Sequence, residues 1–565
     1  MFAFEKKSVE ILKFGSSVLR DREDLPRAVG EIYRYVRDGH SVIAVVSAFE
    51  GETDALVGDA ALFGAGPQNL YAPRYVALGD AAAAALLGVA CDQAGLNATV
   101  LTPEQVDLRA EGPPSQASPV HLDREVFLRA VERCEVVIAQ GFAAVGPHGD
   151  PVLLGRGGSD LTAVFFASAL GLPRTRLIKD VDGVYDKDPA VYASVAARYD
   201  VVSYADALEV AGALVQPQAV ERASADGIEI EVAKPSAGAA TVVGPETQKP
   251  QRRAAKPRLR VGLAGCGIVG AGVADILSRE GDDFDLCTVL VRDLRKKRPV
   301  SVRGAHIVTN LDAFFDEQLD IIVDVLSSGD IGLELTERAM AQGVDLVSAN
   351  KQALAGRLEA LEKTAQSSGA ALLYSASVGG GAPMIETVQR VAAQEEIVRI
   401  DAIVNGTVNF ILSELAAGAD FKAGVEAAQI AGFAEADPSA DLSGADAVAK
   451  ARILGWNAFG DEIASDIPCD ALDDNRRAEI ARRPGVWRQI TTVERRDGAS
   501  RAQVAFARVE EGDFFADFAG ERNGARIVTA SGREVFVKGR GAGAVPTAHS
   551  ICGDLGVLRR AQPRG

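Results

Sequence analysis

The chain has 565 residues, too many for one hydrophobic core, and its 47% hydrophobic residues and mean hydropathy of +0.07 are typical of several ordinary globular domains. Its formal net charge of -18 excludes nucleic acid and anionic membrane surfaces as expected partners, because both would be repelled. The six cysteines form no C-x-x-C pair and the five histidines have no metal-ligand spacing, so we expect a cytoplasmic protein without disulfides or a zinc site. The first residues lack the apolar core of a signal peptide, and the apolar stretch near residues 81–91 is judged too short to span a bilayer.

The first 243 residues alternate segments typical of strands with segments typical of helices. Continuous β-branched runs predict buried strands, whereas Ala-rich segments or segments of 3.6-residue spacing predict helices. The predicted strands are 9–14, 41–47 and 135–139, and the predicted helices are 25–37 and 77–93. This order predicts a mostly parallel sheet covered by helices.

A polar connector at 244–258 ends this part of the chain. It contains three prolines and five basic residues without apolar periodicity, which indicates an exposed linker. The alternation then restarts, and its predicted elements are strands at 259–264, 285–291 and 321–325, a helix that ends near residue 278, and a closing helix at 544–558. From about Ala376 glycine-rich turns separate longer segments, which predicts a second domain of the α+β class.

The turn after the predicted strand 259–264 has the pattern G-x-G-x-x-G, which indicates dinucleotide binding when it joins a strand to a helix. Its glycines would allow a tight turn, the approach of a pyrophosphate and close packing of the helix, whose first N–H groups would hold the diphosphate. The predicted contacts of the cofactor are Gly265, Gly267, Ile268, Val269 and Gly270. The alternative is an ordinary turn between a strand and a helix.

The residues after the next predicted strand leave two coenzymes open. Asp293 lies where an acid would bind a ribose 2′-hydroxyl and favour NAD. Arg292 precedes it and a basic run follows at 296–298 (Lys296, Lys297 and Arg298), and such a cluster would hold the 2′-phosphate of NADP. We favour NADP, with Arg292 as its contact, and keep NAD and a solvent-exposed basic run as alternatives.

Five motifs in the carboxy-terminal part resemble those of homoserine dehydrogenases and occur in the family's order. They are S-A-N-K at 348–351, S-V-G-G-G-A-P at 377–383, N-G-T-V-N-F at 405–410, the acid-rich segment at 432–450 and G-R-G-A-G-A-V-P-T-A at 539–548. The resemblance implies the NAD(P)H-dependent reduction of aspartate 4-semialdehyde to homoserine, a step in threonine and methionine biosynthesis.

The resemblance also implies roles for single residues. Lys351 and Lys450 would form the reaction centre, where a lysine can donate a proton and stabilise the developing alkoxide. Glu435 and Asp446 would bind the substrate ammonium group, with Asp441 as a weaker candidate. Further contacts of the cofactor are implied at Ser348, Asn350 and Gly543. Taken singly, a Lys and an Asp four residues apart are more often a surface ion pair.

The glycine-rich loop departs from the family pattern at one position. Members of the family often have a glutamate that helps to bind a monovalent cation where this chain has Ser375. The backbone carbonyls of Val378, Gly380 and Ala382 could still bind sodium or potassium. Loss of the carboxylate is expected to weaken such a site.

Residues 8–243 resemble aspartokinases and related amino acid kinases. The motifs are K-F-G-S-S-V at 13–18, V-S-A at 46–48 with T-D at 53–54, G-R-G-G-S-D-L-T-A at 155–163, and D-V-D-G-V-Y at 180–185 with D-P at 188–189. The resemblance implies phosphoryl transfer from ATP, with Mg, to aspartate. The residues implied in this site are Lys13, Gly15, Ser47, Thr53, Asp80, Arg156, Gly157, Gly158, Ser159, Asp160 and Asp182.

Several of these residues suit phosphoryl transfer chemically. Lys13 would neutralise the moving γ-phosphoryl group, and Asp160 would orient Lys13. Arg156 would bind the α-carboxylate of aspartate as a fork, and the glycines would let backbone N–H groups reach phosphate oxygens. Ser47 and Thr53 would contact aspartate.

Three departures from the aspartokinase pattern keep a second interpretation open. Ser16 replaces a glycine, Asp80 replaces the glutamate that binds the substrate amino group, and Gln216-Pro217-Gln218 stands where the family has H-P-R. The alternative is a dehydrogenase whose kinase-like part is inactive and serves as a structural or ligand-sensing module.

The two resemblances predict a fusion of two enzymes with an α/β fold. The predicted parts are an amino acid kinase-like parallel-sheet domain at 1–243, a linker at 244–258, a Rossmann domain at 259–375, an α+β substrate and dimerisation domain at 376–543 and a C-terminal helix at 544–565 that returns to the Rossmann domain. Bifunctional relatives carry paired ACT-type regulatory domains between the two enzymes, but here only the short linker separates them, so feedback control through such domains is not expected. The expected partners are small-molecule substrates and further copies of the chain in a homodimer or larger homo-oligomer.

Overall fold

The computed structural model describes residues 8–66, 68–192, 194–212, 214–238, 240–252, 256–279, 283–296, 302, 304–463, 466–541 and 543–561. The chain forms two compact units, one mainly of residues 6–92 and 97–256 and the other mainly of residues 257–564. The division after residue 256 falls within the polar connector.

Two sheets organise the first unit. Its strands are β1 (Val9–Phe14), β2 (Ser41–Val46), β3 (Ala98–Leu101), β4 (Arg109–Glu111), β5 (Ser118–His121), β6 (Val136–Gln140), β7 (Ala143–Val145), β8 (Pro151–Leu153), β9 (Arg174–Ile178), β10 (Val201–Ser203), β11 (Glu229–Ala233) and β12 (Thr241–Gly244). The larger sheet has the order β10-β12-β11-β9-β1-β2-β6-β3, and every neighbouring pair except β11–β12 is parallel. The smaller sheet has the order β5-β4-β7-β8.

Helices cover the larger sheet of this unit. They are α1 (Leu25–Arg37), α2 (Glu52–Leu62), α3 (Ala72–Val76), α4 (Leu78–Gln93), α5 (Arg124–Arg133), α6 (Gly158–Leu170), α7 (Tyr204–Val210) and α8 (Pro217–Asp226). All six residues of β2 are buried, as the β-branched run requires. Both β2 and β9 pair with β1 in parallel. The residues that follow these three strands therefore meet at one edge of the sheet.

Residues 72–93 form a helical run of 22 residues with a mean hydropathy of 1.4, long and apolar enough to span a membrane by length and composition alone. This finding corrects the expectation that the apolar stretch near residues 81–91 is too short. Leu87 and Cys91 are fully buried within the structure, so one face of the run belongs to a packed core.

A six-stranded parallel sheet forms the first part of the second unit. Its strands are β13 (Leu259–Ala264), β14 (Phe284–Leu290), β15 (His306–Val308), β16 (Ile321–Asp324), β17 (Asp345–Ser348) and β18 (Leu372–Leu373). The strand order is β15-β14-β13-β16-β17-β18. After β13 the chain adds β14 and β15 on one side of β13 and then β16, β17 and β18 on the other side, so the strand order reverses between β13 and β16. Ligands of α/β proteins bind at such a switch point, outside the carboxyl ends of the strands. The accompanying helices are α9 (Ile268–Arg279), α10 (Leu311–Phe315), α11 (Gly329–Ala341), α12 (Lys351–Leu354) and α13 (Leu358–Ser368).

An antiparallel sheet with helices forms the rest of the second unit. Its strands are β19 (Ile397–Ile403), β20 (Val486–Arg496), β21 (Ala499–Val509), β22 (Arg522–Thr529) and β23 (Glu534–Arg540), in the order β21-β20-β19-β22-β23. Its helices are α14 (Met384–Ala392), α15 (Gly406–Ala416), α16 (Phe421–Ile430), α17 (Ser439–Leu442), α18 (Ala445–Phe459), α19 (Asp474–Arg482) and α20 (Ala544–Ala561). Apolar residues of α20 share one buried cluster with α9, among them Ile551 and Val273.

The predicted fold class is confirmed, with two parallel-sheet parts and a third part of the α+β class. The predicted helix 25–37 coincides with α1, and the predicted strands 9–14 and 259–264 coincide with β1 and β13. The short strands of the smaller sheet were not predicted, since segments of three or four residues carry too little periodicity to be recognised.

Candidate functional sites

The glycine turn between β13 and α9 has the geometry of a dinucleotide site. Gly265 has φ = +101°, and a Cβ on it would lie 2.8 Å from the carbonyl oxygen of Val325. A Cβ on Gly270 would collide with the carbonyl oxygen of Gly265, so the helix packs closely against the turn. A Cβ on Gly267 would meet no atom within 4 Å, which leaves open space at the amino end of α9. Ile268 is exposed at that end, and Val269 packs on the core.

Arg292 and Asp293, the two candidate determinants of coenzyme choice, follow β14 and lie on the surface. Arg292, Asp293 and Lys296 are exposed. The Asp293 carboxylate accepts a hydrogen bond from the backbone N–H of Arg295 at 2.8 Å. Lys297 and Arg298, which belong to the predicted basic run, lie outside the described residues.

A buried network holds the loop between β17 and α12. The Ser348 hydroxyl donates to Asp324 at 3.2 Å and accepts from the backbone N–H of Asn350 at 3.1 Å. The Asn350 amide donates to the carbonyl oxygen of Ser328 at 3.0 Å, and its oxygen caps α12. Ser348 and Asn350, predicted as contacts of the cofactor, are therefore used in this structure to position the start of α12.

Asp324, at the carboxyl end of β16, is the residue of this network that the sequence analysis missed. Its side chain is fully buried. Burial raises its pKa to about 6, against the opposing effect of hydrogen bonds from Leu326, Ser348 and Asn350. The residue stands in an apolar strand, I-I-V-D-V, and a lone acid at the end of such a strand is the signal that could have identified it.

Three of the predicted catalytic and substrate residues meet in one ionic cluster. Lys351 is the first residue of α12, and its Nζ lies 2.8 Å from Oδ1 of Asp446. Lys450 lies one turn after Asp446 on α18, and its Nζ is 2.7 Å from Oδ2 of the same carboxylate. The Lys450 ammonium also donates to the carbonyl oxygen of Val404 at 2.7 Å. The side chain of Asp446 is 5% exposed, whereas that of Lys351 is 35% exposed and reaches solvent.

The two ammonium groups control the charge of this cluster. Burial alone would raise the pKa of Asp446, but Lys450 and Lys351 outweigh it and lower that pKa to about 2. Burial alone would lower the pKa of Lys351, but the attraction of Asp446 outweighs it and raises that pKa. Asp446 is therefore held as a carboxylate between the two lysine side chains.

The other two predicted acids lie on the segment before α18. Asp441 accepts a hydrogen bond from the Asn405 amide at 3.1 Å, and burial together with Asp446 raises its pKa. Glu435 is exposed and is near enough to Lys351 to raise the pKa of that lysine. Asp441 and Glu435 thus surround the ionic cluster with further negative charge.

The two glycine-rich motifs of the second unit pack on each other. The Gly381 N–H donates to the carbonyl oxygen of Arg540 at 3.0 Å. A Cβ on Gly380, which has φ = +61°, would lie 2.7 Å from the carbonyl oxygen of Gly541. Gly543 has φ = +120° and lies directly before α20. Glycine is required here because two backbones approach too closely for side chains.

A buried carboxylate from α20 lies beside the position where the family often has glutamate. Asp554 is fully buried and accepts hydrogen bonds from Ser375, at 2.8 Å from its hydroxyl and 3.1 Å from its N–H. The carbonyl oxygen of Ala382 accepts from the N–H of Met384 at 2.7 Å. Val378 is buried in the same loop. Asp554 was not predicted, because nothing in the sequence places it near residue 375.

In the first unit, several of the predicted kinase residues lie at the carboxyl edge of the larger sheet. Lys13 lies on β1 and is 5% exposed, and its Nζ is 2.8 Å from Oδ1 of Asp160 near the start of α6. Lys179, directly after β9, is a second lysine on the same carboxylate, at 3.1 Å from Oδ2. A Cβ on Gly15 would lie 2.8 Å from Nζ of Lys13, so glycine leaves room for that ammonium group. Lys179 was not predicted.

Asp80, at the start of α4, is a second buried acid beside this edge. It accepts hydrogen bonds from the N–H of Ala48 at 2.8 Å and from the Ser159 hydroxyl at 3.5 Å. Burial raises its pKa to about 6, although these hydrogen bonds and Lys13 oppose the shift.

The glycine-rich motif before α6 is shaped by its backbone. Gly157 has φ = +77°, and a Cβ there would collide with the side chain of Gln216. A Cβ on Gly158 would lie 2.8 Å from Cβ of Leu154. Arg156 is exposed beside them.

The remaining predicted kinase residues lie on three other segments. Ser47 follows β2 and is half-buried, and Thr53 lies in the first turn of α2. Asp182 is held by the Tyr185 hydroxyl at 2.7 Å and by the Arg198 guanidinium at 3.2 Å.

Comparisons with known proteins match both units to families. The amino acid kinase family model matches residues 8–234, the model of the homoserine dehydrogenase NAD-binding domain matches residues 265–375, and the homoserine dehydrogenase model matches residues 383–555. The homoserine dehydrogenases of Synechocystis sp. and Mycobacterium bovis are each 31% identical to this chain, over 53% of its length and 72% of theirs. A solved homoserine dehydrogenase structure from Thiobacillus denitrificans is 29% identical, with a TM-score of 0.48, over 54% of this chain and 74% of that chain. The chain belongs to the homoserine dehydrogenase family, with an amino acid kinase family domain before its NAD-binding domain.

Proposed function

We propose that the second unit reduces L-aspartate 4-semialdehyde to L-homoserine. The observation that carries this proposal is the Lys351–Asp446–Lys450 cluster, which begins directly after β17 of the dinucleotide-binding sheet. A nicotinamide dinucleotide whose diphosphate is bound at the glycine turn would supply the hydride for the aldehyde carbon. The aldehyde oxygen then gains a proton, so that the aldehyde is reduced and the coenzyme is oxidised.

The charges of the cluster suit the alcohol-forming step. Lys351 and Lys450 offer ammonium groups that polarise the aldehyde oxygen, and one of them delivers its proton. Asp446 binds both lysines with its two oxygens, so we assign it a positioning role. Glu435 and Asp441 remain for the substrate ammonium group, because neither forms an ion pair with Lys351 or Lys450 in the described structure.

The test is the oxidation of homoserine by the purified chain, followed through the absorbance of the reduced coenzyme. We expect coenzyme reduction that requires homoserine and saturates with it. A chain that binds the coenzyme but reduces none of it with homoserine would remove the proposal.

We propose NADP as the preferred coenzyme, with Arg292 as the contact of its 2′-phosphate. Replacing Arg292 by alanine is expected to raise the KM for NADPH about tenfold, the effect of one charge-assisted hydrogen bond, and to leave the KM for NADH unchanged. Arg501→Ala, an exposed arginine on β21, is the matched control. An equal effect of Arg292→Ala on both coenzymes, or a wild-type preference for NADH, would contradict this assignment.

We propose that a sodium or potassium ion binds only weakly at the glycine-rich loop. The carbonyl of Ala382 and the carboxylate of Asp554 are both engaged by protein donors, which supports this proposal.

We further propose that the first unit transfers the γ-phosphoryl group of ATP to L-aspartate. The ion pair of Lys13 with Asp160 at the amino end of α6 supports this proposal, because phosphoryl transfer depends on positioned cations and backbone donors. Arg156 is exposed and available for the α-carboxylate of aspartate. We expect Mg²⁺ to be bound mainly by the phosphates of ATP, because this ion keeps several waters and relies on substrate phosphates in such sites.

Trapping of aspartyl phosphate as its hydroxamate tests the kinase activity. We expect hydroxamate that depends on both ATP and aspartate. Its absence would favour the second interpretation, an inactive kinase-like module, to which Ser16, Asp80 and Gln218 point.

The pKa of Asp80 predicts how the kinase depends on pH. Because burial raises this pKa to about 6, the side chain is neutral below pH 6 and cannot attract the ammonium group of aspartate. At saturating ATP we expect the KM for aspartate to rise about tenfold from pH 7 to pH 5. ADP release, quantified by chromatography, gives this KM without a pH-sensitive trapping reagent. In Asp80→Asn the KM is expected to be high at every pH, and a pH-independent KM in the wild-type chain would contradict the role of Asp80.

A further inference from the structure

Lys179 and Lys13 are two buried lysines that share one carboxylate. Lys179 is 8% exposed and Lys13 is 5% exposed. The Nζ of Lys179 lies 3.1 Å and 3.4 Å from the two oxygens of Asp160, and the Nζ of Lys13 lies 2.8 Å from Oδ1. The two ammonium groups come from neighbouring parallel strands, since β9 pairs with β1.

The two ammonium groups repel each other. Asp160 forms an ion pair with both, while Asp80 also attracts Lys13 and Asp180 also attracts Lys179. Burial and repulsion by Lys13 nevertheless lower the pKa of Lys179, in spite of its ion pair with Asp160. An anion that binds both ammonium groups would offset this repulsion.

The position of the cluster indicates which anion would bind there. Lys179 directly precedes the D-V-D-G-V-Y segment at 180–185, whose resemblance implies nucleotide binding. Asp160 lies in the first turn of α6, a helix of 13 residues whose amino end carries partial positive charge. Lys13 lies on the other side of Asp160, in the motif expected to bind the γ-phosphoryl group. A polyphosphate chain would bind both lysines at once.

We propose that Lys179 is a second phosphate-binding lysine of the first unit, held with Lys13 by Asp160 and bound to the phosphate chain of ATP. This inference rests on the proposed kinase function for its catalytic consequence. In the transfer, an oxygen of the aspartate β-carboxylate forms a bond to the γ-phosphorus, and the bond from that phosphorus to the oxygen bridging to the β-phosphate breaks. The products are aspartyl phosphate and ADP, no electrons are exchanged, and the departing ADP oxygen keeps the bond pair. Lys179 stabilises the charge that develops on the phosphate oxygens.

Removal of Lys179 leaves the fold supported, because Asp160 keeps its ion pair with Lys13. Lys179→Met preserves most of the side-chain volume without the charge, and Lys179→Arg preserves the charge. Lys249→Met, at an exposed lysine of the connector, is the matched control. Oxidation of homoserine and thermal unfolding report whether each variant is folded.

The experiment measures ADP release at saturating aspartate and the binding of tripolyphosphate by calorimetry. We expect Lys179→Met to lower the rate of ADP release about 100-fold and to weaken tripolyphosphate binding about tenfold. Lys179→Arg is expected to retain part of the rate of ADP release and part of the tripolyphosphate binding. Lys249→Met is expected to change neither.

The two proposals fail in different ways. A wild-type chain that releases no aspartate-dependent ADP would refute the kinase proposal, and tripolyphosphate binding then decides the role of Lys179 alone. Weaker binding in the folded Lys179→Met variant supports the phosphate contact. Unchanged binding in that folded variant overturns it, whatever happens to ADP release.

Discussion

Replacement of Lys450 by alanine is expected to lower kcat for the reduction of aspartate semialdehyde about 1000-fold, while the coenzyme still binds. Loss of a positioned proton donor, or of a group that stabilises the oxyanion, lowers the rate by a factor on the order of 100 to 1000. Lys450 is 2.7 Å from Asp446 and from the carbonyl oxygen of Val404, so two partners hold its ammonium group in position. Steady-state oxidation of NADPH gives kcat, and quenching of protein fluorescence gives coenzyme affinity.

The design of this experiment separates chemistry from folding. Asp446 keeps its ion pair with Lys351 at 2.8 Å when Lys450 is removed, so the buried carboxylate is not left alone. Lys363→Ala removes an exposed lysine that pairs with Glu359 on α13, and this control is expected to keep wild-type kinetics. Turnover near the wild-type rate in Lys450→Ala would remove Lys450 from the mechanism.

Replacement of Lys13 by alanine is expected to abolish the formation of aspartyl hydroxamate, with a loss of at least about 1000-fold. Lys13 is 5% exposed at the carboxyl edge of the sheet, and a buried cation acts on phosphate charge far more strongly than a cation in water. Lys179 remains on Asp160 in this variant, so the carboxylate stays paired. Hydroxamate is measured with ATP and aspartate at saturation.

The control for this variant lies in the same chain. Lys249→Ala, at an exposed lysine, is expected to form hydroxamate at the wild-type rate. Oxidation of homoserine by Lys13→Ala is expected to be unchanged, which shows that the second unit is intact. Hydroxamate formation by Lys13→Ala at a rate close to that of the wild-type chain would contradict the proposed role of Lys13.

The sequence predicted the fold well where periodicity is strong and segments are long. The buried β-branched run of β2 and the amphipathic α1 were recognisable without any contact information. The short strands β4, β5, β7 and β8 were not, because their pairing is decided by tertiary contacts. The length of the apolar helical run at 72–93 was underestimated, since a single residue separates α3 from α4.

The sequence predicted motif residues but not the partners that complete their networks. Lys351, Asp446 and Lys450 were identified through motifs, and the structure brings them together. Asp324 and Asp554 were missed because each belongs to a different strand or helix from the residues it binds. Long-range hydrogen bonds leave no periodic pattern in a sequence, so such partners appear only in three dimensions.

The structure also shows partners of several predicted site residues that the sequence did not indicate. Asp446 was expected to bind the substrate ammonium group, yet both of its oxygens are bound by lysines. Ser348 and Asn350 were expected to contact the cofactor, yet they form a buried network with Asp324 and Ser328. A motif shows which residues belong to a site, whereas their hydrogen bonds indicate what each one does there.

The central claim is that the second unit converts aspartate semialdehyde to homoserine, and one measurement tests it most directly. Purified wild-type protein is mixed with NADPH and aspartate semialdehyde, and the products are identified by mass spectrometry. The account predicts one homoserine formed for each NADPH oxidised. Oxidation of NADPH without homoserine, or no oxidation by a chain that binds NADPH, would contradict it.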